Sequence, residues 1–121
     1  MAQVARTPGP ARHEIPLIDE RALAAARAGD RLLAEAAERT AADGPSARAA
    51  ARWARELGGV PEILRDGELR DVRRAAVRSR SAYGPKDSIR DALPPDVTEP
   101  FVAEIDRLLR EIARYERHRG D

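Results

Sequence analysis

The chain has 121 residues, 22 basic against 21 acidic side chains for a formal net charge of +1, and no cysteine, which is one domain's worth of chain and excludes disulfides, thiol chemistry and thiolate metal sites. Hydrophobic residues are 42% of the composition, but Ala alone is about a fifth of the chain and Leu, Ile, Val and Phe together only about a fifth, close to the level at which highly charged chains stay unfolded; the near-zero net charge favours a folded domain with a thin core. No run approaches the ~20 apolar residues of a membrane span and the first residues lack a signal-peptide core, so a cytoplasmic protein without a membrane partner is expected.

Residues 1–16 carry three prolines, a glycine and few large apolar groups, and read as a disordered leader before a single helical domain over 17–121. A long helix is expected over 19–43, capped by Asp19 or Ile18, with Ile18, Ala22, Ala26, Leu33 and Ala37 on its inner face, and stopped by Asp43-Gly44-Pro45. Gly29, with Ala22, Ala25, Ala26 and Ala36, makes that face low enough for another helix to approach closely. Ser46 then caps a helix over 46–57 in which Trp53 and Leu57 share the buried side, and Gly58-Gly59 ends it. Pro61 suits the start of a short helix over 61–65, broken by Asp66-Gly67. A second long helix is expected over 68–83, with Leu69, Val72, Ala76 and Tyr83 inward. Asp87 is the candidate cap of a brief helix over 88–93, stopped by Pro94-Pro95. Thr98 is the candidate cap of the last long helix, 98–118, with Asp106–Arg110 and Arg107–Glu111 as surface pairs. No segment alternates like a strand. The expected fold is an all-α bundle of three long and three shorter helices, its aromatics Trp53, Tyr83, Phe101 and Tyr115 each anchoring a separate patch.

The sharpest periodic signal lies in the last helix. Phe101, Ile105, Leu108, Ile112 and Tyr115 repeat at four and three residues, and Val102 and Leu109 widen the stripe. A core this thin is often completed by another molecule, so these seven residues are the candidate docking face for another protein or a second copy of the chain.

Charge supplies the second signal. Residues 1–45 hold 6 arginines against 7 acids, residues 46–86 hold 10 basic against 5 acidic, and residues 87–121 hold 6 against 9. The basic middle offers a candidate anion or nucleic-acid face made of Arg70, Arg73, Arg74, Arg78, Arg80 and Lys86, with Tyr83 available to stack on a base. All but one of the basic residues are Arg, a bias that favours a merely solvated helix face, with pairing to the acidic last helix as one form of it. Residues 50–64 resemble a helix-turn-helix in having small Ala54 four before Gly58, flanked by Trp53 and Leu57. The second helix of that unit is short, and its outward Glu62 and Asp66 are acidic where phosphates would lie.

Other chemistry has little to stand on. His13 and His118 lack further metal ligands on a rigid element, and Ser79, Ser81 and Ser88 have no activating His nearby. Without a glycine-rich phosphate loop after a strand, no cofactor, metal or catalytic residue is expected. The segment Ile89-Arg90-Asp91-Ala92-Leu93-Pro94-Pro95 followed by Phe101 resembles part of some short actinobacterial proteins; the resemblance spans 13 of 121 residues, and no functional residue is carried over. The expectation is a non-enzymatic helical interaction protein (an adaptor, accessory subunit or antitoxin-like regulator), with a DNA-binding regulator as the alternative.

Overall fold

A computed structural model describes residues 15–119. Six helices follow one another in it: α1 (Pro16–Ala42), α2 (Ala47–Leu57), α3 (Val60–Asp66), α4 (Leu69–Ser81), α5 (Ile89–Ala92) and α6 (Pro95–Arg119). No strand occurs among the described residues, and the fold is the expected all-α bundle. The expected leader lies outside the described residues except for Ile15, the N-cap of α1, and Pro16, its first helical residue. A proline there gives up an N–H that has no helical partner anyway, and its fixed φ suits the first turn. Asp19, expected as the cap, instead donates its N–H to the Ile15 carbonyl at 3.0 Å. At the other end Asp43 stops α1 in a left-handed conformation, φ 53°.

The remaining ends are set by similar local chemistry. Ser46 is the N-cap of α2, as expected, yet its hydroxyl makes no capping bond. Asp87 does not cap α5. It sits at φ 52°, whereas a cap needs extended backbone, which Ser88 has. The Ser88 hydroxyl accepts from the Arg90 N–H at 3.1 Å and the Asp91 carboxylate from the Ser88 N–H at 3.2 Å, a reciprocal capping box. Nor is Thr98 a cap: α6 starts three residues earlier, because Pro95 opens the helix while the Pro94 carbonyl accepts from Val97 (3.2 Å) and Thr98 (3.1 Å). Pro100 therefore lies inside α6 and removes one backbone bond from it. Helix α4 ends two residues before Tyr83, which follows in a turn.

Helix α1 is the central rod, packed on α6, α2 and α3, while α4 closes against α6 and α3. Its buried side is Ile18, Ala22, Ala25, Ala26, Gly29, Leu32 and Ala36. Ile18, Ala22 and Ala26 lie inward as expected, but Leu33 is only half-buried and Ala37 exposed, so toward the C-terminal end of α1 the inner face, at Leu32 and Ala36, is turned by one residue from the expected one. The low face around Gly29 is real. A Cβ there would stand 3.2 Å from Phe101 Cε1 and 3.3 Å from Pro61 Cγ, so the missing side chain lets α6 and α3 both approach α1. Trp53, Leu57, Leu64, Val72 and Ile89 complete one continuous core.

Candidate functional site

The stripe on α6 is core. Phe101, Val102, Ile105, Leu108 and Ile112 are buried, Ile105 and Leu108 at 0% exposure, and Leu109 and Tyr115 are half-buried beside them. Helices α1 and α4 cover it. The expected docking face is thus occupied by the chain itself: an apolar period states that a helix is covered, not by what.

The six basic residues expected to form one face are all exposed, but the fold divides them. Arg73 turns to Glu116 (3.5 Å) and Arg80 to Asp106 (2.9 Å), both on α6. Asp106 is thereby drawn away from its expected partner Arg110, and Arg107 pairs with Glu104 in place of Glu111. Arg70, Arg74 and Arg78, at successive four-residue steps, line up on one side of α4, and among the described residues none has an ion-pair partner within 4 Å. Lys86 lies apart in the turn before α5.

Tyr83 offers no stacking surface. It is buried, its hydroxyl donates to the Thr98 carbonyl at 2.6 Å, and the guanidinium groups of Arg90 and Arg80 lie 5.0 and 5.9 Å from its ring centre. Burial first, and the nearby Glu99 carboxylate second, push its phenol well above the ordinary range. Arg90 grips Glu99 through two hydrogen bonds of 2.9 Å; that bond, with one from Thr98, holds the Glu99 carboxyl below its usual value. The cluster is a strap between the α4–α5 turn and the start of α6.

The outward face of α3 carries acids where a DNA-reading helix would meet phosphates. Helix α3 has seven residues and buries Val60, Pro61 and Leu64, which leaves Glu62, Ile63 and Asp66 exposed. Two acids on the outward face oppose a phosphate backbone. Gly58 closes the preceding turn so tightly that a Cβ would fall 2.7 Å from the Ala54 carbonyl oxygen.

Those elements instead bound an open cleft of about 570 Å³ between the α2–α3 turn and α4. Val60, Ile63 and Ala75 supply apolar lining, Arg74 and Arg78 line the α4 side, and Glu56 and Asp71 also border it. Ile63 is 38% exposed and Val77, one turn along α4 from Arg74, is 53% exposed. Neither residue stood out in the sequence. Val77 was legible as out of phase with Val72 and Ala76, whereas Ile63 sits in a helix too short to show a period.

No cluster of His, Cys, Asp and Glu suited to a metal occurs among the described residues; His118 is exposed and His13 lies outside them. Ser79 donates its hydroxyl to the Ala75 carbonyl (2.8 Å), Ser81 to that of Arg78 (2.6 Å), and Ser88 caps α5. Among the described residues no helix is long and apolar enough to cross a membrane. The chain matches no family model, no curated protein and no solved structure.

Proposed function

We propose that this chain is a non-enzymatic interaction protein whose docking surface is the α3–α4 cleft. One observation carries the reading: exposed Ile63 lies at an open, partly apolar cleft whose α4 side carries the unpaired Arg74 and Arg78, while the chain's largest apolar stripe is used up in its own core. Apolar groups at the centre and charges at the rim are the usual division of labour in a protein–protein interface. Affinity purification of the tagged chain, together with an untagged second copy, tests it through the variant Ile63→Asp. Partners held by the wild type are expected to be lost from this variant and kept by Arg110→Glu on α6. Recovery of the same partners by all three chains overturns the reading.

A nucleic-acid-binding regulator is the second reading. It is favoured by the Arg70, Arg74 and Arg78 row alone, and it lacks both a stacking aromatic and a recognition helix free of acids.

A further inference from the structure

Arg74 and Arg78 sit one turn apart on the α4 side of the cleft, and among the described residues neither has an ion-pair partner within 4 Å. Half-buried Asp71, a turn before Arg74 on the same helix, also borders the cleft and is likewise without such a partner among the described residues. Glu56 is already matched, by Arg52 at 3.3 Å. The apolar lining comes from Val60 and Ile63 on α3 and from Ala75, which follows Arg74 on α4. The unmatched charge of the cleft therefore runs in one order along α4, a carboxylate and then two guanidiniums, beside apolar surface.

Nine residues line the cleft, against the roughly 20–30 that each partner gives to a standard interface between folded proteins. Its volume of about 570 Å³ is that of a pocket for a small ligand or a short segment, so a folded face is too large an occupant. A simple organic anion or a polyanion answers the arginines and is repelled by Asp71. From Asp71 to Arg78 the helix rises about 10 Å, which about three extended residues cover at roughly 3.3 Å each. A peptide supplies three different groups at that spacing: a basic side chain for Asp71, an apolar one for Val60 and Ile63, and a carboxylate for the guanidiniums, whose pairing with carboxylates is strong and directional. We propose that the cleft holds a short segment of a partner protein in which one apolar side chain is flanked by an acidic residue on one side and a basic residue on the other. This rests on the docking reading above and names the chemistry of its partner.

Panning of phage-displayed random dodecapeptides against the immobilised full chain tests it. Enriched peptides are expected to share an apolar residue with an acid within about three residues on one side and a base on the other. A fluorescein-labelled copy of the most enriched peptide is then titrated in fluorescence polarisation. It is expected to bind at least tenfold more weakly to Arg74→Glu with Arg78→Glu and to Ile63→Asp. The same peptide with its acid replaced by lysine is expected to lose affinity for the wild type and to regain it on the Arg74→Glu, Arg78→Glu chain. These sites are exposed, and circular dichroism checks that the helices persist; if the charge reversal does not fold, Arg74→Gln with Arg78→Gln replaces it, with a tenfold loss expected. The proposal is overturned if no peptide is enriched on the wild type over the Ile63→Asp chain, if the shared motif lacks an acid, or if the peptide binds the arginine variant as well as the wild type. If panning fails while Ile63→Asp still loses partners in affinity purification, the docking reading stands and its occupant is of another kind; if panning fails and Ile63→Asp loses nothing, both fall.

Discussion

Tyr83 shows how one side chain can be read correctly for position and wrongly for role. The sequence places it inward at the end of the α4 region, and it is buried. Its other expected use, stacking on a base, is incompatible with a hydroxyl held on the Thr98 carbonyl at 2.6 Å and two guanidinium groups over its ring. No spacing rule could report this strap, because its members come from the α4–α5 turn, α5 and α6 and meet only in three dimensions. Tyr83→Phe removes the hydrogen bond and is expected to cost about 0.5–1.5 kcal/mol at neutral pH. The sign of the pH effect follows from the raised phenol. The folded state favours the protonated form, so this contribution is complete below the ordinary phenol value near about 10 and is lost as pH rises beyond it. Urea unfolding of both chains at increasing pH checks this: the stability gap should narrow above that value. A gap that does not change with alkaline pH would show that the phenol proton is not linked to folding.

At the scale of elements, the existence of each helix was legible and its ends were less so. Apolar period, Gly-Gly and Pro-Pro breaks located all six, but Asp87, Ser88 and Thr98 are all acceptable caps by residue type, and only backbone conformation decides among them. Pro95 shows the same limit, since two consecutive prolines read equally as the end of α5 or the start of α6 and here do both. The α6 stripe carries the larger lesson. Its period was read correctly and its partner was not, because the Ala-rich α1 looks too poor in large groups to cover it. What the sequence hides is the depth of approach. Gly29 brings Phe101 so near that even a Cβ at position 29 would be crowded, and close contact gives small side chains the burial that bulk would otherwise supply. Replacing Leu108 and Ile112 together by Asp puts two carboxyl groups into that contact. Each buried carboxylate without a partner carries a penalty of several kcal/mol, and a domain has only about 5–15 kcal/mol in total. The double variant is therefore expected to lose its helical circular dichroism as a monomer. If it keeps native helix content, the stripe is a surface and the packing described for α6 is wrong.

For the molecule as a whole, the separation of charge along the chain was legible, and so was pairing of the basic face with the acidic last helix as one alternative; which arginines pair was not. The basic middle and acidic C-terminal third fold against each other, so that Arg73 and Arg80 meet α6 acids, and what stays open is the Arg70, Arg74 and Arg78 row with Lys86 nearby in sequence. Glu56 and Asp71 border the same cleft as Arg74 and Arg78, which favours an occupant of mixed charge over a polyanion. The two kinds of occupant differ measurably in how salt affects binding. Four cations on phosphates would release about four counterions, which weakens duplex binding roughly a hundredfold between about 50 and 200 mM salt. We expect fluorescence polarisation with labelled duplexes to find at most such weak association at low salt, alike for unrelated sequences, reduced by Arg74→Ala with Arg78→Ala and gone at physiological salt. Loss of both arginines should also flatten the salt slope by about two counterions. Binding that survives physiological salt and distinguishes one duplex from another is more than four exposed cations supply, and would favour the nucleic-acid regulator over the proposed interaction protein.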